Sequence, residues 1–118
     1  MQLKILKSKL HNARVTDSDI DYVGSVTIDL DLMDAVGIKS HELVSVCDKT
    51  TGARIETYVL AGERGSKIIA PMGPAARVIH KNDTVVIMAF AYLEEHEVEN
   101  HRPKVAILNN ENEIIQQL

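Results

Sequence analysis

A mainly β chain that closes into a small barrel with short helices is the fold class this sequence predicts. Short β-branched runs recur along it, separated by turn signals about every ten residues. At 118 residues the chain has room for one domain and not two. Three Tyr, one Phe and no Trp leave Val, Ile, Leu and Ala to build the core. No solenoid-period repeat, linker or low-complexity segment divides residues 1–118, so a single domain is expected to span them.

The opening MQLKILKSKLHNARVT alternates Leu3 and Ile5 with Gln2 and Lys4, which predicts a strand turning irregular near His11 to Arg14. TDSDID gathers short acidic and hydroxyl residues into a turn. YVGSVTI returns to β-branched residues with Gly24 inside the run, and a strand glycine marks a bulge or tight bend. DLDLMDAVG reads as a short helix, capped by Asp29 or Asp31, with Leu32, Ala35 and Val36 on one face and Gly37 at its end. A β-hairpin follows: Val44 and Val46 on one arm, KTTG at the turn, Ile55, Thr57 and Val59 on the other. GERG supplies another turn and SKIIA another strand, which the two prolines of APMGP interrupt. PAARVI makes a helical turn with Pro74 at its first position. KNDTVVIMAFAYL is a turn and then an apolar strand buried on both faces. EEHEVENHRP is helix or loop, and KVAILNNENEIIQQL is a final hairpin turning at Asn109 to Glu111.

A formal net charge of −4 argues against nucleic acid or an anionic membrane as partner, since both favour a basic face. Cys47 is the only cysteine, so no intrachain disulfide forms and a reducing cytoplasm is the expected home. No apolar run reaches the roughly 20 residues of a membrane span, and no signal-peptide core opens the chain.

The usual chemical motifs are absent. His96 and His101 are five apart, not the four of HExxH, and His11, His41 and His80 stand alone, so no metal site is expected. GERGSK lacks the spacing of a phosphate-binding P-loop. Cys47 reads as a structural thiol, and there is no GxSxG elbow. What remains is serine beside glycine, at Gly24-Ser25 and Gly65-Ser66. The second lies in a polar turn, where glycine serves the backbone. The first is flanked by Tyr22, Val23, Val26 and Ile28, whose packing is expected to hold it rigidly; strain survives only where the surroundings over-determine it.

These residues resemble a known family. KSKLHNARVTDSDIDYVGSVTID, then TTGARIETYVLAGERGSKII and the terminal RPKVAIL, are similar to the pyruvoyl-dependent aspartate 1-decarboxylases over nearly the whole chain. The motif is Lys9-x-His11, Tyr22-x-Gly24-Ser25, Arg54-x-x-Thr57-Tyr58 and Glu63-Arg64-Gly65-Ser66. The resemblance implies a double-psi β-barrel, a homotetramer with active sites between subunits, and a maturation factor as an optional partner. It also implies an inactive proenzyme cut between residues 24 and 25, giving chains 1–24 and 25–118. Ser25 attacks the Gly24 carbonyl to form an ester, and elimination with hydrolysis leaves residue 25 as a pyruvoyl group. That ketone then forms a Schiff base with the amine of L-aspartate and accepts electrons as CO2 leaves, yielding β-alanine for pantothenate. Neither pyridoxal phosphate nor a metal is implied.

By the same resemblance, Tyr58 is the proton donor and Thr57 holds the scissile carbonyl, while Lys9 and Arg54 bind the substrate carboxylates. His11, Tyr22, Gly73, Pro74 and Ala75 complete the substrate pocket. Adjacent strand residues point to opposite faces, so Thr57 and Tyr58 demand either a bulge or sites on different subunits. Two departures stand out. The family's Asn-Gly-Ala-Ala-Ala is here Met72-Gly73-Pro74-Ala75-Ala76, which removes an amide side chain and one backbone N–H. Cys47 replaces what is often a larger residue. Both leave open a pyruvoyl decarboxylase of altered substrate, such as glutamate. An unprocessed, non-catalytic barrel module is the alternative of another class.

Overall fold

All residues from Met1 to Leu118 are described by the computed structural model. Strand β1 (Gln2–Arg14) is followed by β2 (Ser25–Asp29), helix α1 (Leu30–Val36), β3 (Leu43–Asp48), β4 (Arg54–Gly62) and β5 (Ile69–Met72). A 3-10 turn (Gly73–Arg77), β6 (Thr84–Glu94), helix α2 (Glu95–Val98), β7 (Lys104–Leu108) and β8 (Ile114–Gln117) complete the chain. The mainly β class with short helices is the one the sequence predicts.

Local chemistry explains the elements read correctly. Asp29 accepts the Asp31 N–H at 2.8 Å to cap α1, and the Gly37 N–H closes it on Met33. The β3–β4 hairpin runs in unbroken register from Leu43↔Tyr58 to Cys47↔Arg54. Pro74 opens the 3-10 turn, and residues 109–113 separate β7 from β8.

Three expectations need correction. β1 does not end in an irregular stretch at His11: it continues to Arg14, and the irregularity is a register shift between Leu10 and Ala13. Asn12 carries the bulge at φ 63. The prolines do not interrupt the fifth strand, which runs through Pro71 because β5 is an end strand paired only with β2. β6 is buried on both faces only at Val85, Val86 and Ile87; by Tyr92, 66% exposed, its outer face is open.

The strands form one curled sheet in the order β5-β2-β4-β3-β6-β1-β7-β8. Its two parallel pairings, β1 with β7 and β2 with β4, join strands remote in sequence, as double-psi connectivity does. Closure happens just past β1. The Thr16 N–H donates to Ile69 O at 2.9 Å, and the Ile69 N–H donates back to Thr16 Oγ1 at 3.0 Å. Asn112 seals the seam: its amide donates to Arg14 O and Lys67 O, both at 2.9 Å, and accepts the Arg14 N–H at 2.7 Å. Inside lie Leu10, Ile28, Val46, Ile69 and Ile87, with no aromatic ring among the fully buried side chains. No helix is long and apolar enough to cross a membrane.

Candidate active site

Gly24 sits in the connection that enters β2, not within the strand, and Ser25 is the first strand residue, opposite Met72 of β5. Ser25 is wholly buried, and its hydroxyl has no hydrogen-bond partner. A buried unpaired hydroxyl costs about 1–3 kcal/mol and calls for a reason. The other Gly-Ser pair supplies the contrast: exposed Ser66 donates to Glu63 O at 2.6 Å, while Asp29 accepts the N–H groups of Gly65 and Lys67. Arg64 of that turn pairs with Asp31 and Asp34 of α1, each at 2.8 Å. The second motif therefore fastens a turn to a helix.

Of the four flanking residues expected to hold the segment, Val26 and Ile28 are buried in the core, but Tyr22 and Val23 are 57% and 74% exposed, so side-chain packing does not hold it on the Gly24 side. What holds it is backbone. Asp19 O accepts the N–H of both Gly73 (2.8 Å) and Tyr22 (3.4 Å). Gly73, at φ +67, lies so close that a β-carbon there would stand 2.7 Å from Gly24 Cα and 2.9 Å from Gly24 N. Pro74 Cδ closes the remaining side, 3.3 Å from where a Gly24 β-carbon would be. Asp19 was missed in the sequence because a backbone carbonyl has no side-chain signature.

Beside this segment opens a cavity of about 330 Å³ lined by Gly24, Ile55, Glu56, Thr57, Tyr58, Met72, Pro74 and Ala75. Thr57 and Tyr58 thus meet in one pocket, although the β3–β4 register shows no bulge. Neither expected explanation is needed. β2 first meets β4 at Val59, so residues 54–58 of β4 present a free edge, and a cavity along an edge is reached from both faces. Glu56 and Ile55 were not foreseen as lining residues.

The aspartate decarboxylase family profile matches residues 1–115. An aspartate 1-decarboxylase of Bacillus licheniformis is 48% identical over 118 residues, covering 100% of this chain and 93% of the relative. One from Staphylococcus aureus (strain MSSA476) is 48% identical over 114 residues, 97% of this chain and 90% of the relative. The chain belongs to the aspartate decarboxylase family. Among solved structures, the computationally designed msDPBB_sym2 protein aligns with a TM-score of 0.46 at 19% identity, over 74% of this chain and 99% of its own.

In this aspartate decarboxylase family member, the expected carboxylate-binding groups stand apart from the Gly24 cavity. Lys9 lies opposite Met88, Met88 opposite Ser45, and Arg54 opposite Cys47, so both cations occupy the outer face of β1-β6-β3-β4. Three strand spacings and a two-residue offset along the strand separate them, about 16 Å. Neither forms an ion pair within the protomer, and Arg54 lines an outer cavity of about 670 Å³ with Phe90 and Tyr92, which adjoins the Gly24 cavity through Ile55 and Glu56. His11 lies on the same strand as Lys9; its Nδ1 is buried and unpaired. Burial first, then the charges of Lys9 and Lys49, push its pKa down and favour the neutral imidazole. Tyr22 does not line the Gly24 cavity, whereas Pro74 and Ala75 do, and Gly73 acts on Gly24 directly.

Proposed function

We propose that this decarboxylase-family chain is a proenzyme that cuts itself between Gly24 and Ser25, and that the resulting enzyme converts L-aspartate to β-alanine and CO2. The observation that carries the reading is the buried, unpartnered Ser25 hydroxyl beside a Gly24 backbone wedged by Gly73 and Pro74. A hydroxyl without a partner is free to attack the adjoining carbonyl. Its oxygen forms an ester with the Gly24 carbonyl carbon, and the C–N bond breaks to free the residue 25 amine. Loss of the residue 25 Cα proton then expels the Gly24 carboxylate, and water replaces the nitrogen, which leaves as ammonia. The ketone so made supplies the electron sink for decarboxylation.

This chain's own residues do the rest. Thr57, in the cavity with Gly24, is suited to hold the scissile carbonyl through its hydroxyl. Tyr58, in the same cavity, gives its hydroxyl proton to the carbon that has lost CO2 and recovers one from water. A dicarboxylate requires cations, and Arg54 offers a bidentate grip with Lys9 as a second charge. Lys9 stands three strands from β4 and lines neither cavity, so it is suited to serve the Gly24 cavity of a neighbouring copy, with Arg54 at the border of its own; this supports a homotetramer with sites shared between subunits. The open outer face at Leu43 and Tyr92, 57% and 66% exposed, suits that assembly. The single cysteine supports a reducing, cytoplasmic setting, and β-alanine for pantothenate is the role the family implies.

Denaturing mass measurement of an active preparation tests the reading: two fragments meeting at residue 25 are expected, the larger carrying a keto group at its start. An intact chain with full activity would refute it. Mixed oligomers of Ser25→Ala and Lys9→Ala, each inactive alone, are expected to regain activity if sites are shared. Met72 and Pro74 make the cavity wall apolar and favour a second reading, an altered substrate. Faster CO2 release from glutamate than from aspartate would select it.

A further inference from the structure

Tyr58 stands opposite Leu43 in the β3–β4 ladder, which fixes its backbone and leaves its ring free to change rotamer. The ring stacks on the imidazole of His41, with centroids 6.4 Å apart and planes 22° from parallel. His41 is set there by several contacts. It takes a left-handed backbone, φ +71, which histidine tolerates better than most residues. Its N–H donates to Val59 O at 2.7 Å, and the Val59 N–H donates to Glu42 O at 3.0 Å, extending the ladder one residue past Tyr58.

The rest of the loop is pinned through Glu42. Its carboxylate accepts the Lys39 N–H at 3.0 Å and pairs with half-buried Lys7 at 2.6 Å. Lys7 also donates to Gly37 O at 2.9 Å, so one ammonium ties the loop's beginning to its end. The loop between α1 and β3 is therefore fastened on both sides of His41.

We propose that His41 is a positioning residue for the decarboxylation: through this stack it holds the Tyr58 phenol in the rotamer that faces the Gly24 cavity. The proposal rests on the reading of Tyr58 as proton donor. A stack of this separation biases a rotamer equilibrium by about 2- to 10-fold, and the rate of proton delivery carries that factor. KM does not, because carboxylate binding is assigned to Lys9 and Arg54.

The test uses the processed, assembled enzyme. His41→Asn removes the ring and keeps a residue suited to left-handed backbone. It is expected to lower kcat for aspartate about 2- to 10-fold with KM and the processed fraction unchanged. In a Tyr58→Phe background, single-turnover formation of β-alanine, the protonated product, is expected to show no further effect of His41→Asn. NMR of labelled Tyr58 is expected to show χ1 averaging in His41→Asn only. An unchanged kcat, an equal fall in both backgrounds, or an unchanged Tyr58 χ1 in His41→Asn would overturn the proposal. Failure of the underlying reading has its own signature: Tyr58→Phe would turn over at the parent rate.

Discussion

Gly73→Ala tests the contact that sets the Gly24-Ser25 segment, where self-cleavage is proposed. The added β-carbon would stand 2.7 Å from Gly24 Cα, 2.9 Å from Gly24 N and 2.9 Å from Tyr22 O, all backbone atoms that cannot swing aside. Carbon atoms settle at about 3.5 Å or more, so Gly24 must retreat by roughly 0.8 Å (3.5 − 2.7). A displacement near 1 Å at a reacting centre costs about 100-fold in rate, so self-cleavage is expected to slow about 100-fold. Alanine at φ +67 also loses about 1–2 kcal/mol, a fall in Tm of roughly 5–10 °C for a chain of this length. Gly65→Ala separates the two effects: its φ is +79, but nothing lies within 4 Å of the new carbon. It is expected to lose only the stability owed to the left-handed backbone and to process at the parent rate. Cell-free synthesis sampled over time, read by denaturing intact mass, gives both rates. If folded Gly73→Ala matures as fast as Gly65→Ala, the Gly73–Gly24 contact does not set the geometry of cleavage and the reasoning fails.

Ser25→Ala is expected to fold, remain one chain and melt no lower than the parent, with a gain of about 1 kcal/mol from deleting a buried unpaired hydroxyl; loss of folding would contradict this. Asn112→Ala strands the seam groups of Arg14 and Lys67 and is expected to cost about 3 kcal/mol or more, seen as a lower urea midpoint at unchanged slope. Asp48 is buried beside Asp83, with Oδ1 accepting the Thr50 and Thr51 N–H groups and Oδ2 lacking a donor. Burial first, then the neighbouring Asp83 carboxylate, to which a protonated Asp48 can donate, raises the Asp48 pKa, and that donation favours ionised Asp83 and lowers its pKa. A raised carboxyl pKa means the folded state binds the proton more tightly, so this group's contribution is lost as pH climbs above the ordinary carboxylate range. Asp48→Asn keeps a donor toward Asp83 without that loss. It is expected to raise Tm at pH 7, with the gain vanishing toward pH 4; destabilisation at pH 7 would refute the assignment.

Much of the fold was legible because its causes are local. The Asp29 cap, the KTTG hairpin and Pro74 at the head of a turn each act within a few residues. Pro71 misled because its strand assignment depends on β5 lying at the end of the sheet, a fact about order and not about neighbours. Tyr22 and Val23 misled for a related reason: apolar residues beside a rigid bond look like its support, yet in this protomer they face outward. Thr57 and Tyr58 posed a false dilemma, since strand periodicity describes two faces and is silent about an edge.

By itself the sequence determined the β class, the aliphatic core, the suspect serine and the family, all properties of residue identity and short-range pattern. Only the tertiary structure decided what presses on Gly24, why the Ser25 hydroxyl has no partner, and which predicted residues share a cavity. Those depend on segments tens of residues apart being brought into van der Waals contact. A linear pattern cannot encode such distances, because they exist only once the sheet has closed.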